Sequence, residues 1–87
     1  KEYTIKQLRN YFQRSNIHQL LAREEFVRLI VNKRAYKNIC YRMTEDDLFR
    51  LFCAIKRRSV DYDTPETRDM WEKFKKEKGE INEIKHT

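Results

Sequence analysis

Lys33, Arg34, Lys37 and Arg42 fall within ten residues that hold no carboxylate, and Lys6 and Arg9 add two more cations earlier in the chain. Side chains of this kind recognise anions. A phosphoserine brings about −1.5 to −2 charges and three acceptor oxygens, so a patch of Lys and Arg holds it without a deep pocket. These six residues are the candidate ligand-binding set. The run Glu45-Asp46-Asp47 offers three carboxylates that could pair as acid and base or hold a metal. It follows Thr44 directly, however, and a hydroxyl N-cap with acidic residues at the positive end of a helix dipole accounts for it. His18 and His86 read as surface histidines, in a loop and a tail. The sequence holds no Gly-rich phosphate loop, no HExxH and no Ser or Cys with a plausible nearby His. The reading is therefore a non-enzyme with no catalytic residue, no metal and no cofactor.

The elements that must carry these cations read as helices. One Gly and one Pro leave few of the punctuators that tight hairpins need. Thr4-Ile5-Lys6-Gln7 fits a capping box, and Ile5, Leu8, Tyr11 and Phe12 recur at helical spacing, which predicts a first helix over about 5–14. Residues 15–19 read as a loop. A second helix is expected over about 22–32, with Phe26, Leu29 and Ile30 as its stripe and Glu24 and Glu25 in its first turn. Asn32 to Ile39 is too short and polar for a full helix, so one turn of 3₁₀ structure with Tyr36 and Ile39 inward is expected. Thr44 opens a third helix whose Leu48, Phe49, Leu51, Phe52 and Ile55 form the widest apolar face in the chain, closed by Lys56-Arg57-Arg58. After a linker over 59–63, Thr64-Pro65-Glu66 starts a fourth helix over about 65–78, ending before Gly79. Its stripe of Met70, Trp71 and Phe74 is narrow, so it is expected to dock weakly or to project, and residues 80–87 to fray.

The fold class is thus all-α: a three-helix bundle over 1–58 with a 3₁₀ turn between the second and third helices, then a linker and C-terminal helix over 59–87. The expected core is Leu8, Tyr11, Phe12, Phe26, Leu29, Ile30, Tyr36, Ile39, Phe49 and Phe52. A chain of 87 residues has room for one core of about a dozen side chains and little space for a buried catalytic cleft. Eleven aromatics are too many for a disordered chain, and no run of about 20 apolar residues is present to span a bilayer. The opening residues do not read as a signal peptide, and the chain reads as a piece of a longer protein. Cys40 and Cys53 fit neither a disulfide framework nor a zinc pattern and read as reduced, partly buried thiols of an intracellular protein. The net charge of +6 is uneven: residues 1–42 carry +7 and residues 43–87 carry −1. A basic first half points to an anionic partner.

One family pattern runs through these residues. Phe26-Val27-x-Leu29-Ile30-Val31-Asn32, then Tyr36-x-x-Ile39, then Leu48-Phe49-x-x-Phe52 resembles the second half of an FF domain. In that family a helix ending in a hydrophobic pair leads to a short D-P-R-Y turn, and an aromatic of the third helix follows at an interval like the 13 residues between Tyr36 and Phe49. Leu8-x-x-Tyr11-Phe12 and Ile17 stand where the first half has F-x-x-L-L and its next apolar residue. Leu8 replaces the first signature Phe, Lys33-Arg34-Ala35 replaces D-P-R, and the usual Trp of the second helix falls near Arg23, with Leu20, Leu21 and Phe26 taken to supply the volume. The resemblance covers about 5–58.

It implies a monomeric protein-interaction module, one of several repeats in a nuclear splicing or transcription-coupled factor. The implied partners are phosphorylated C-terminal repeats of RNA polymerase II, or acidic and aromatic motifs of splicing proteins. The alternative is direct nucleic-acid binding by a SAP-like helical pair over 4–31. Against that stand the lack of a Gly in the loop and the acidic start of the third helix. A third reading is a purely structural spacer.

Overall fold

A computed structural model describes residues 2–32, 39–56, 63–79 and 81. In chain order the elements are β1 (Glu2–Thr4), α1 (Ile5–Phe12), α2 (Ile17–Leu21), α3 (Glu24–Val27), β2 (Ile30–Asn32), β3 (Cys40–Arg42), α4 (Glu45–Ile55) and α5 (Pro65–Lys78). The described chain is mostly helical, as the sequence predicts, but it is not all-α.

Three of the helix starts are set by local chemistry. The Thr4 hydroxyl accepts from the Gln7 backbone N–H at 3.1 Å, and the Gln7 amide oxygen accepts in return from the Thr4 N–H at 2.9 Å. Thr44 and Asp47 repeat the exchange at 3.2 and 2.9 Å. Thr64 and Thr67 do so at 3.2 and 3.0 Å, with Pro65 in the first turn, where its missing N–H costs nothing. Helix α1 stops at Phe12 because Gln13 adopts a left-handed conformation (φ 54°), two residues before the expected end.

The middle of the chain departs from the expected second helix over 22–32. Residues 17–21, read partly as loop, form α2, and α3 lasts only one turn before the backbone extends into β2. Leu29-Ile30-Val31 is a run of large apolar residues, two of them β-branched, and such a run packs as well on a pleated surface as on a helix. The deciding factor is a partner: β3 lies between β1 and β2, and both pairings are antiparallel. The register sets Tyr3 opposite Tyr41 and Ile30 opposite Tyr41 on the other side, with an irregularity between Ile30 and Asn32. The Leu29 carbonyl accepts from the Arg42 N–H at 2.9 Å. Of the 3₁₀ turn expected over Asn32 to Ile39, Asn32 instead ends β2 and Ile39 stands just before β3, while residues 33–38, with Tyr36, lie outside those described.

The core gathers side chains from every helix and from β1 and β3: Tyr3, Leu8, Phe12, Ile17, Leu21, Phe26, Tyr41, Met43, Leu48, Phe49, Leu51, Phe52, Cys53 and Trp71 are all buried. Tyr11, Leu29, Ile30 and Ile39, expected at the centre, are partly buried at its margin. The weak docking expected of α5 is corrected. Trp71 is 1% exposed, with ring centroids 5.2 Å from Phe52, 6.2 Å from Phe12 and 5.9 Å from Phe74. Three aromatic or long side chains form a narrow stripe by count, but an indole removes far more area from water than a single aliphatic residue does.

Candidate functional site

The expected cations among the described residues fall on two elements, Lys6 and Arg9 on α1 and Arg42 on β3. Lys6 and Arg9 are exposed on α1, three residues apart and so on one helix face, opposite buried Leu8 and Phe12. Neither has a carboxylate partner among the described residues. Arg42 is exposed at the end of β3, where the sheet register sets it against Glu2, and the two form an ion pair at 3.6 Å. Lys33, Arg34 and Lys37 lie outside the described residues.

Arg42 does line a cleft, of about 540 Å³. Tyr3, Tyr11, Met43, Leu48, Trp71 and Ile81 give it largely apolar walls, and Glu45 and Lys75 supply its other charges. The elements hold these walls firmly. Tyr3 and Met43 are buried on and beside the sheet, Leu48 projects from α4, and the Tyr11 hydroxyl donates to the Gly79 carbonyl at 2.7 Å, tying α1 to the end of α5. Glu45 accepts from the Trp71 indole N–H at 3.1 Å and from the Lys75 ammonium at 2.6 Å. Burial alone would lower the Lys75 pKa, but its hydrogen bonds to Glu45 and Glu72 carry it above the ordinary lysine range.

The acidic run at α4 therefore does more than suit a helix dipole. Glu45 holds α5 through Trp71 and Lys75, while Asp46 meets Arg50 at 3.7 Å and Arg68 at 3.4 Å. Arg68 also pairs with Asp63 at 2.8 Å and lies 4.1 Å from the Phe49 ring centroid. The hydrogen bond from Arg68 holds the Asp63 carboxyl below the usual carboxylate range. A signal for this docking was present in the sequence: Arg68, Trp71 and Lys75 recur at i, i+3 and i+7 on α5, facing an acidic helix start.

Cys40 and Cys53 are both buried, and no disulfide joins them. Burial, aided by the nearby Glu2 carboxylate, raises the Cys40 thiol pKa, which makes it a poor nucleophile. His18 lies in α2 rather than in a loop and is exposed. His86 lies outside the described residues. No group of three or more His, Cys, Asp or Glu among the described residues could hold a metal ion, and none of their helices is long and apolar enough to cross a membrane.

A second, polar cleft of about 280 Å³ was not anticipated. Arg14, Asn16, Gln19 and Arg23 line it against the end of α4. A scan against protein-family models, a search of curated proteins and a search of solved structures each find no match for this chain.

Proposed function

We propose that the chain is a non-catalytic recognition module that binds an acidic or phosphorylated peptide beside Arg42, with an aromatic or aliphatic side chain of the peptide in the adjoining apolar cleft. The observation that carries this reading is the position of Arg42. It is the one candidate cation among the described residues that lines a cleft, and that cleft is of a size that ordinarily takes small ligands or side chains. Glu45 lines the same cleft as Arg42 and Lys75, and a carboxylate among so few cations suits an isolated anion on a peptide better than a phosphodiester strand. The Arg42–Glu2 pair does not block the site. The Arg42 side chain is 65% exposed and the pair spans 3.6 Å, so it contributes about 0–1 kcal/mol. A phosphate with nearly two charges displaces a single carboxylate from such a pair. Lys6 and Arg9 on α1 add unspent positive charge, and Lys33, Arg34 and Lys37 belong to the same proposal by sequence.

The FF-type resemblance, with its 3₁₀ turn, makes phosphorylated C-terminal repeats of RNA polymerase II the first ligand to try. Nuclear splicing or transcription-coupled complexes are the proposed setting on the same ground. The test is a titration of the isotope-labelled chain with a doubly phosphorylated polymerase repeat peptide. Shifts at Tyr3, Met43 and the Trp71 indole N–H, lost in Arg42→Glu, support the proposal. Shifts produced equally by single-stranded DNA at Lys6 and Arg9 would assign the surface to nucleic acid instead.

A further inference from the structure

The polar cleft between the α1–α2 turn and the end of α4 presents four side chains whose hydrogen-bonding capacity is unspent. The guanidiniums of Arg14 and Arg23 and the amides of Asn16 and Gln19 have no side-chain partner among the described residues, and no carboxylate among those residues lines the cleft. Four of the other arginines differ: Arg28 donates to the Glu25 carbonyl, while Arg42, Arg50 and Arg68 each pair with a carboxylate; Arg9, like Arg14 and Arg23, has no such partner among the described residues. Asn16 occupies the N-cap position of α2, yet its side chain makes no capping hydrogen bond.

The backbone beneath these groups is held in place. The left-handed Gln13 turns the chain out of α1, and the Arg14 carbonyl accepts from the Ile17 N–H at 3.3 Å. The Arg23 N–H donates to the Leu20 carbonyl at 3.1 Å, and the Arg23 carbonyl accepts from Phe26 and Val27 at 3.0 and 2.9 Å. Ile17, Leu21 and Phe26, the apolar residues between and after these turns, have no exposed surface. The cations thus hang from fixed points, which lowers the ordering cost of binding.

We propose that this cleft is a second anion site, taking one phosphate monoester borne on a serine or threonine side chain of a partner peptide. Two guanidinium forks match phosphate oxygens bidentately, and the two amide NH₂ groups add further donors. The carbonyl end of α4 contributes about half a negative charge, which two full positive charges exceed. A monoester carries about −1.5 to −2 charges where a nucleic-acid phosphodiester carries one. The cations also share one cleft rather than following a line, so a single dianion suits the site better than a phosphodiester strand. Arg42, Lys6 and Arg9 do not line this cleft, so variants at either set test one surface without the other.

The experiment titrates the isotope-labelled full chain with an alanine-rich peptide bearing one phosphoserine, the same peptide unphosphorylated, and a short oligothymidylate. Shifts of the Asn16 and Gln19 side-chain amides with the phosphopeptide alone are expected. Arg14→Gln and Arg23→Gln should each weaken binding about tenfold or more, the effect of losing a charge-assisted hydrogen bond. The double variant Arg14→Lys with Arg23→Lys, which keeps charge but loses the forks, should recover little of it, and Lys6→Glu should leave it unchanged. Equal shifts with the unphosphorylated peptide, or stronger ones with oligothymidylate, would overturn the assignment. So would glutamine variants that lower Tm but bind the phosphopeptide as before, since the arginines would then serve only the carbonyl end of α4.

Discussion

A single oxygen of Glu45 receives both the Trp71 indole N–H and the Lys75 ammonium, and the two bonds differ in worth. The indole bond joins a buried ring to a charged acceptor, and losing it costs about 1–3 kcal/mol. The Lys75 pair is more exposed and contributes little by itself. Glu45→Ala is therefore expected to lower unfolding free energy in urea by that amount. Glu45→Gln, which keeps an acceptor oxygen, should lose much less; equal losses in both would show that the charge, not the hydrogen bond, matters. Asp63 gives a pH signature. Its pKa is depressed on folding by Arg68, so its contribution is present above the ordinary carboxylate range and is lost as pH falls through the lower folded value. The Tm difference between the wild type and Asp63→Asn should be largest near neutral pH and vanish in strong acid.

At the scale of elements, the capped helices and the sheet have different origins. Thr44→Ala removes a hydroxyl that accepts from the Asp47 N–H and should cost about 1 kcal/mol, read by thermal unfolding. All three capping boxes lie within four residues of sequence; the Gln7 partner of Thr4 was legible from residue types alone, whereas Thr44 read as an N-cap without its Asp47 partner. The end of α1 was not, because it depends on a left-handed Gln13 that no glycine announces. The strands are three residues each, too short to show alternation, and β1 meets β3 across nearly forty residues of chain. Nothing local distinguishes Leu29-Ile30-Val31 as the end of a helix from the start of a strand.

For the molecule as a whole, α5 decides the extent of the core. Trp71 emission should be strongly blue-shifted, and Trp71→Ala or Phe49→Ala should each cost about 3–5 kcal/mol, comparable to the stability of a chain this small. A chain cut after residue 58 loses Trp71, and circular dichroism is expected to show it unfolded or molten. A cooperative melt from that fragment would instead place the boundary of the folding unit at 58. Ligand binding should weaken as salt rises from about 50 to 300 mM, since the sites proposed lie on the exposed, basic first half, where screening is effective.

Amphipathic spacing and end-capping chemistry, which act within a few residues, determined from sequence that the chain is mostly helical, where α4 and α5 begin, and that Leu8, Phe12, Phe26, Phe49 and Phe52 lie inside. They also determined that positive charge concentrates in the first half. Tertiary structure alone decided that Arg42 stands beside an apolar cleft, that Arg14 and Arg23 share another, and that Glu45 receives Trp71. Each of these depends on which surfaces remain after distant segments have packed. Charge and periodicity say which side chains face water; only the folded backbone says which of them face the same water.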